Sequence, residues 1–96
     1  MASNIDYLNY VLELLREVDD ITYKRMMGEY LLYVDGVLFG GVYDNRFLVK
    51  KTPSIEKYGF IEQIPYEGAK PMYLVDIEDP NEIKDIVLLL YSDLKR

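Results

Sequence analysis

The chain contains no cysteine, no histidine and no tryptophan in its 96 residues. Without cysteine there is no disulfide framework and no thiolate metal site, which suits a reducing cytosol. Without histidine the commonest general base, the usual imidazole ligand and the natural pH switch near neutrality are all missing. Dyads and triads that need histidine are impossible, and zinc, haem and copper lose their ordinary donors. No cofactor is expected. No apolar run approaches the roughly 20 residues of a membrane span. The opening MASNIDY has no basic stretch of the kind that starts a signal peptide. The expectation is a soluble, cytoplasmic protein.

Half of the residues are apolar, enough for a core in one domain spanning 1–96. The formal net charge is −6. An acidic chain repels phosphate backbones, which argues against direct nucleic-acid binding. A local basic patch stays open, because Lys24, Arg25, Arg46, Lys50 and Lys51 lie close together in sequence.

Ile5, Leu8, Val11, Leu12, Leu15 and Val18 follow helical spacing, with Ser3 and Asp6 as candidate caps and Asp19-Asp20 as the stop. A meander follows. One strand ends at Gly28, a second runs from Tyr30 to Val34, and Asp35-Gly36 turns it into a third, 37–43. Asp44-Asn45 then leads to Phe47-Leu48-Val49-Lys50. Thr52-Pro53 reads as the cap of a short helix that stops at Gly59. Residues 60–71 read as a strand-and-turn connection and 72–77 as a further strand. Asp79-Pro80 with Glu82 marks the last helix, which Ile83, Ile86, Val87, Leu90, Tyr91 and Leu94 line; Lys95-Arg96 suit its C-terminal end. The expected class is α+β, a two-layer sandwich. Its antiparallel sheet of four to five strands carries two long helices on one face, in the order α-β-β-β-α-β(β)-α.

The second strand is apolar on both faces: Tyr30, Leu32 and Val34 alternate with Leu31 and Tyr33. The third repeats this, with Val37 and Phe39 on one side and Leu38 and Val42 on the other. A sheet with one solvated face should alternate apolar and polar. Either the second face meets a partner, including another copy of the chain in a homodimer, or tyrosines tolerate exposure and the C-terminal strand region folds over it. The interface candidates are Leu31, Tyr33, Leu38 and Val42.

Chemistry is harder to find. Tyr23, Tyr30, Tyr33 and Tyr43 on neighbouring strands would allow a base-stacking platform, but tyrosine is also an ordinary strand residue. Gly28, Gly36, Gly40 and Gly41 form no phosphate loop. Gly40-Gly41 mark a bulge or a close approach by another backbone, a helix being the favoured neighbour. No pair of carboxylates stands out for acid–base work, and no calcium loop is present. Arg25, Glu29 and Lys50 are the best polar candidates, as an ion pair or an anion site. No catalytic residue and no metal ligand is assigned, and the expectation is not an enzyme.

Arg25-x-Met27-Gly28 followed by 30–39, YLLYVDGVLF, resembles the N-terminal domain of the TfoX/Sxy competence regulators. In that family an R-x-M-F-G-like turn leads into a G-L-Y-x-D/G-G-x-x-F-like hairpin and an L-Y-L-K-like strand, whose place Phe47-Leu48-Val49-Lys50 takes. Pro65-Tyr66 and Met72-Tyr73 are similar to the family's aromatic loop and M-x-Y strand. The resemblance spans about 20–95. It implies a two-layer α/β sandwich similar to secretion-chaperone folds, and it supplies no catalytic residues. Met27 stands where the family has phenylalanine. The family's helical second domain has no counterpart before Arg96, so the chain reads as a stand-alone module. The implied role is a regulatory protein-interaction module that binds a protein of the transcription machinery or associates with itself. A small acidic chaperone that holds a client segment is the alternative.

Overall fold

A computed structural model describes residues 3–95. Helix α1 covers Ile5–Leu14. Strands β1 (Ile21–Met26), β2 (Glu29–Val34), β3 (Val37–Val42) and β4 (Phe47–Val49) follow, then a 3-10 helix Pro53–Tyr58, β5 (Glu62–Gln63), β6 (Met72–Leu74) and helix α2 (Pro80–Leu94). All strands pair antiparallel in one six-stranded sheet ordered β1-β2-β3-β4-β6-β5. The class is α+β, with one strand more than the four to five expected. The difference lies before the middle helix, where four strands stand in place of the three expected; β5, two residues long, is the optional strand expected after it. The middle helix is 3-10 rather than α.

Three two-residue hairpins build the meander. Met27-Gly28, Asp35-Gly36 and Asp44-Asn45 all have φ between 48° and 83°. Positive φ at both central residues gives a turn whose twist matches that of the flanking strands. Met27 bears the cost of that conformation without glycine's freedom, and it is 95% exposed at the tip of the first hairpin.

Asn4, not Ser3 or Asp6, caps α1, its side chain accepting from the Asp6 amide at 2.7 Å. The helix stops at Leu14, yet Leu15 and Val18 stay buried in the turns that follow. Asp79 caps α2 as expected, accepting from the Asn81 amide at 3.0 Å with Pro80 in the first turn. Thr52 precedes the 3-10 helix but makes no side-chain cap. The cap comes instead from α2, where the Asp93 carboxylate accepts from the Ser54 amide at 3.0 Å and its hydroxyl at 2.7 Å. Arg96 lies outside the described residues.

One apolar cluster joins both helices to the sheet. Leu8, Val11 and Leu15 from the first end of the chain and Ile83, Ile86, Val87 and Leu90 from the other meet Tyr30, Leu32, Val34, Phe39, Phe47 and Val49. In β2 these positions alternate with the half-buried Leu31 and Tyr33. The register then identifies the residues that point away from the helices.

Candidate functional site

Side chains on paired residues share a face. Tyr33 is opposite Leu38, Leu31 opposite Gly41, Gly41 opposite Leu48, and Leu48 opposite Leu74. This row forms the sheet face turned away from the helices. Leu31, Tyr33 and Leu38 are half-buried on it. Val42 is not among them. It is fully buried in the helix-side cluster, opposite Tyr30. The register shifts between Leu32 and Tyr33, so Phe39 is the extra residue of a bulge and simple alternation along β3 fails there. Val42 is therefore core, and the candidate interface reduces to Leu31, Tyr33 and Leu38.

The same bulge explains the glycine pair. A side chain at Gly40 would run into the Leu48 carbonyl and the Val49 Cα. At Gly41 a Cβ would lie 2.5 Å from the Tyr30 carbonyl oxygen and 2.7 Å from the Tyr43 ring. The neighbours that approach are the flanking strands and a tyrosine, not a helix.

At the β4–β6 end the second face is covered. Leu48 is fully buried although it stands outside the helical cluster, and Tyr43 is 8% exposed. The connection between β5 and β6 folds against this end, where the Tyr66 and Tyr43 rings lie 6.2 Å apart. Arg46 holds it there. Its guanidinium donates to the Gln63 side chain at 2.9 Å and to the carbonyls of Ile64 and Pro65 at 3.3 and 3.2 Å, while Nε donates to the Tyr43 carbonyl at 3.1 Å. The role of Arg46 escaped the sequence reading because its acceptors are mostly backbone carbonyls. The segment thus covers part of the face and leaves Leu31, Tyr33 and Leu38 beside it.

The polar candidates do not converge. Arg25 is opposite Tyr30 and Glu29 is opposite Met26, so adjacent register positions send them to opposite faces. Lys50 follows β4, three strand spacings of about 4.8 Å from β1. Glu29 serves the fold. It accepts from the Ser3 hydroxyl at 2.6 Å and from the Asp44 amide at 3.2 Å, while the Ser3 hydroxyl accepts from the Asn45 amide at 3.2 Å and the Asn45 side chain accepts from the Asn4 amide at 2.8 Å. This network ties the start of α1 to the third hairpin. Arg25 is exposed and makes no salt bridge among the described residues. The tyrosine platform also divides: Tyr23 packs edge-on against the buried Tyr30 at 6.0 Å, whereas Tyr33 and Tyr43 belong to the other face.

A groove of about 550 Å3 opens between β3 and the segment 64–72. Leu38, Tyr43, Tyr66 and Met72 give it apolar and aromatic walls, and Lys50, Lys51 and Lys70 line it with positive charge. Lys51 donates to Glu62 at 3.0 Å, a contact that raises its pKa and keeps it charged. Burial, followed by the nearby Tyr66, Glu29 and Tyr33, raises the Tyr43 phenol above its ordinary value. Tyr43 is therefore neutral at physiological pH. Among the described residues no cluster of three or more metal-ligating side chains occurs, and no helix is long and apolar enough to cross a membrane.

Fold and site together define a small α+β domain built on one antiparallel sheet, with an apolar strip and a groove on the face away from its helices. The family model of the TfoX N-terminal domain matches residues 13–72, and the chain belongs to that family. It is also similar to an uncharacterized 12.7 kDa protein in the trpE 5′ region of Spirochaeta aurantia. The two are 32% identical over 91 residues, covering 91% of this chain and 79% of the relative.

Proposed function

We propose that the domain is a non-enzymatic regulatory module, acting in the cytoplasm, that docks on a folded protein of the transcription machinery through the uncovered part of its second sheet face. The observation that carries this reading is the half-buried row Leu31, Tyr33 and Leu38, apolar side chains on a face that the β5–β6 connection covers at one end. An aromatic anchor such as Tyr33 is of the kind that dominates binding energy when a partner desolvates it, with the neighbouring leucines excluding water around it. Membership of the TfoX N-terminal domain family supports the link to competence regulation.

The test is an affinity pull-down from native lysate with and without nuclease, repeated with Tyr33→Asp and Leu31→Glu. A transcription protein that survives nuclease and is lost on both variants, while their thermal unfolding stays cooperative, is the expected result. If both variants unfold, these residues belong to the core and the reading is wrong. Recovery only without nuclease would transfer the role to nucleic acid. The lysine-lined groove favours a second reading, the holding of an extended client segment.

A further inference from the structure

We infer that the groove between β3 and the segment 64–72 binds an extended peptide in which an apolar or aromatic side chain is flanked by carboxylates. The volume of about 550 Å3 falls in the ordinary range of ligand sites. Its walls offer aliphatic and aromatic carbon for one large side chain. Among the described residues, the charged ones that line it are Lys50, Lys51 and Lys70.

The charge is informative because of its setting. The whole chain has 11 basic against 17 acidic residues, yet among the described residues no carboxylate lines this groove. Lys51 is already paired with Glu62, while Lys50 and Lys70 make no salt bridge among the described residues. Two ammonium groups beside an apolar trough match carboxylates on either side of a hydrophobic residue. The surrounding negative potential repels acidic chains in general, so a segment must also fill the trough to bind. Three lysines are too few to track a phosphate backbone against that potential. Leu38 belongs both to the groove and, through its register with Tyr33, to the uncovered face, so an extended chain has a path out of the groove across the sheet. The inference rests on the reading above only in taking the partner to be a protein.

A library of random heptapeptides displayed on phage would be panned in parallel on the full chain, on a K50E/K70E double variant and on Ala69→Trp. The double variant reverses the free charges, and Ala69→Trp fills the groove without touching them. The enriched sequences on the wild type are expected to combine one large apolar residue with at least two acidic ones. The leading peptide, synthesised with a fluorescent label, is expected to bind at least about tenfold more weakly to both groove variants and to weaken as salt screens the lysines. Lys84→Glu, exposed on α2 and outside the groove, is expected to leave its affinity within about threefold. No enrichment over the variants, enrichment of basic or uncharged sequences, or equal binding to the double variant would overturn the groove. If the groove fails in this way while Tyr33→Asp still loses the partner captured from lysate, the sheet-face reading stands alone. Circular dichroism of each variant keeps misfolding from passing as lost binding.

Discussion

At Gly41 the sheet has no room for one more carbon. The position is opposite Leu31 on one side and Leu48 on the other, with the Tyr43 ring above. Gly41→Ala is expected to destabilise the domain by about 1–3 kcal/mol, the usual cost of overpacking, measured as a lower denaturant midpoint at unchanged slope. The glycine pair in mid-strand was a readable sign of a bulge. What crowds it was not, because strand pairing sets that and the pairing lies outside the local pattern. Val42 shows the consequence. Its alternation with Leu38 looked regular, but the bulge at Phe39 moved it to the other face. Met27 is the reverse case, a residue that turn chemistry disfavours at a position the hairpin requires at positive φ.

Single elements here are held by partners remote in sequence. Beyond the pairing of Gln63 with Met72, the segment 63–65 is tied to the third hairpin by one side chain, Arg46. Arg46→Ala is expected to lower stability by about 1–3 kcal/mol, in line with losing charge-assisted hydrogen bonds. Hydrogen exchange should locate the damage. The Ala69 and Leu74 amides, which donate to Tyr66 and Ile61 in this connection, are expected to exchange faster, while the amides of β2 keep their protection. The hairpins and the start of α2 were legible because Asp-Gly, Asp-Asn and Asp-Pro carry their geometry locally. The cap of the 3-10 helix was not. Thr52-Pro53 had the right residues, but the acceptor is Asp93, on the last turns of α2. The network of Ser3 and Glu29 was hidden for the same reason, since Glu29 was expected to pair with Arg25 or Lys50 and meets its actual partners only when the third hairpin comes beside it.

For the whole molecule, Asp93 couples acid stability to the docking of α2 on the 3-10 helix. The hydroxyl of Ser54 first, then its amide, holds the Asp93 carboxyl below its ordinary value of 3.8. A depressed pKa in the folded state adds stability above the unfolded pKa, and that stability is lost as pH falls through the folded value. Asp93→Asn is therefore expected to lower the melting temperature at neutral pH. The gap from the wild type should close below about pH 4, as the wild-type carboxyl protonates. Thermal unfolding across that range checks it, and a gap that persists in acid would show that the side chain acts by packing instead. The domain-scale pattern of helix, meander and helix was readable from periodicity and turns. The groove was not, because its walls meet only when 64–72 returns across the sheet.

From β1 to β4, neighbours along the chain are neighbours in the sheet, whereas β6 lies between β4 and β5. Hairpins with short loops close within microseconds, and longer connections must first lose more chain entropy. The first four strands can thus zip in sequence as a cooperative unit. The β5–β6 arm closes a longer loop and is expected to form after them. This would make one wall of the groove the least protected part of the molecule, able to swing aside for an incoming segment while the meander stays closed.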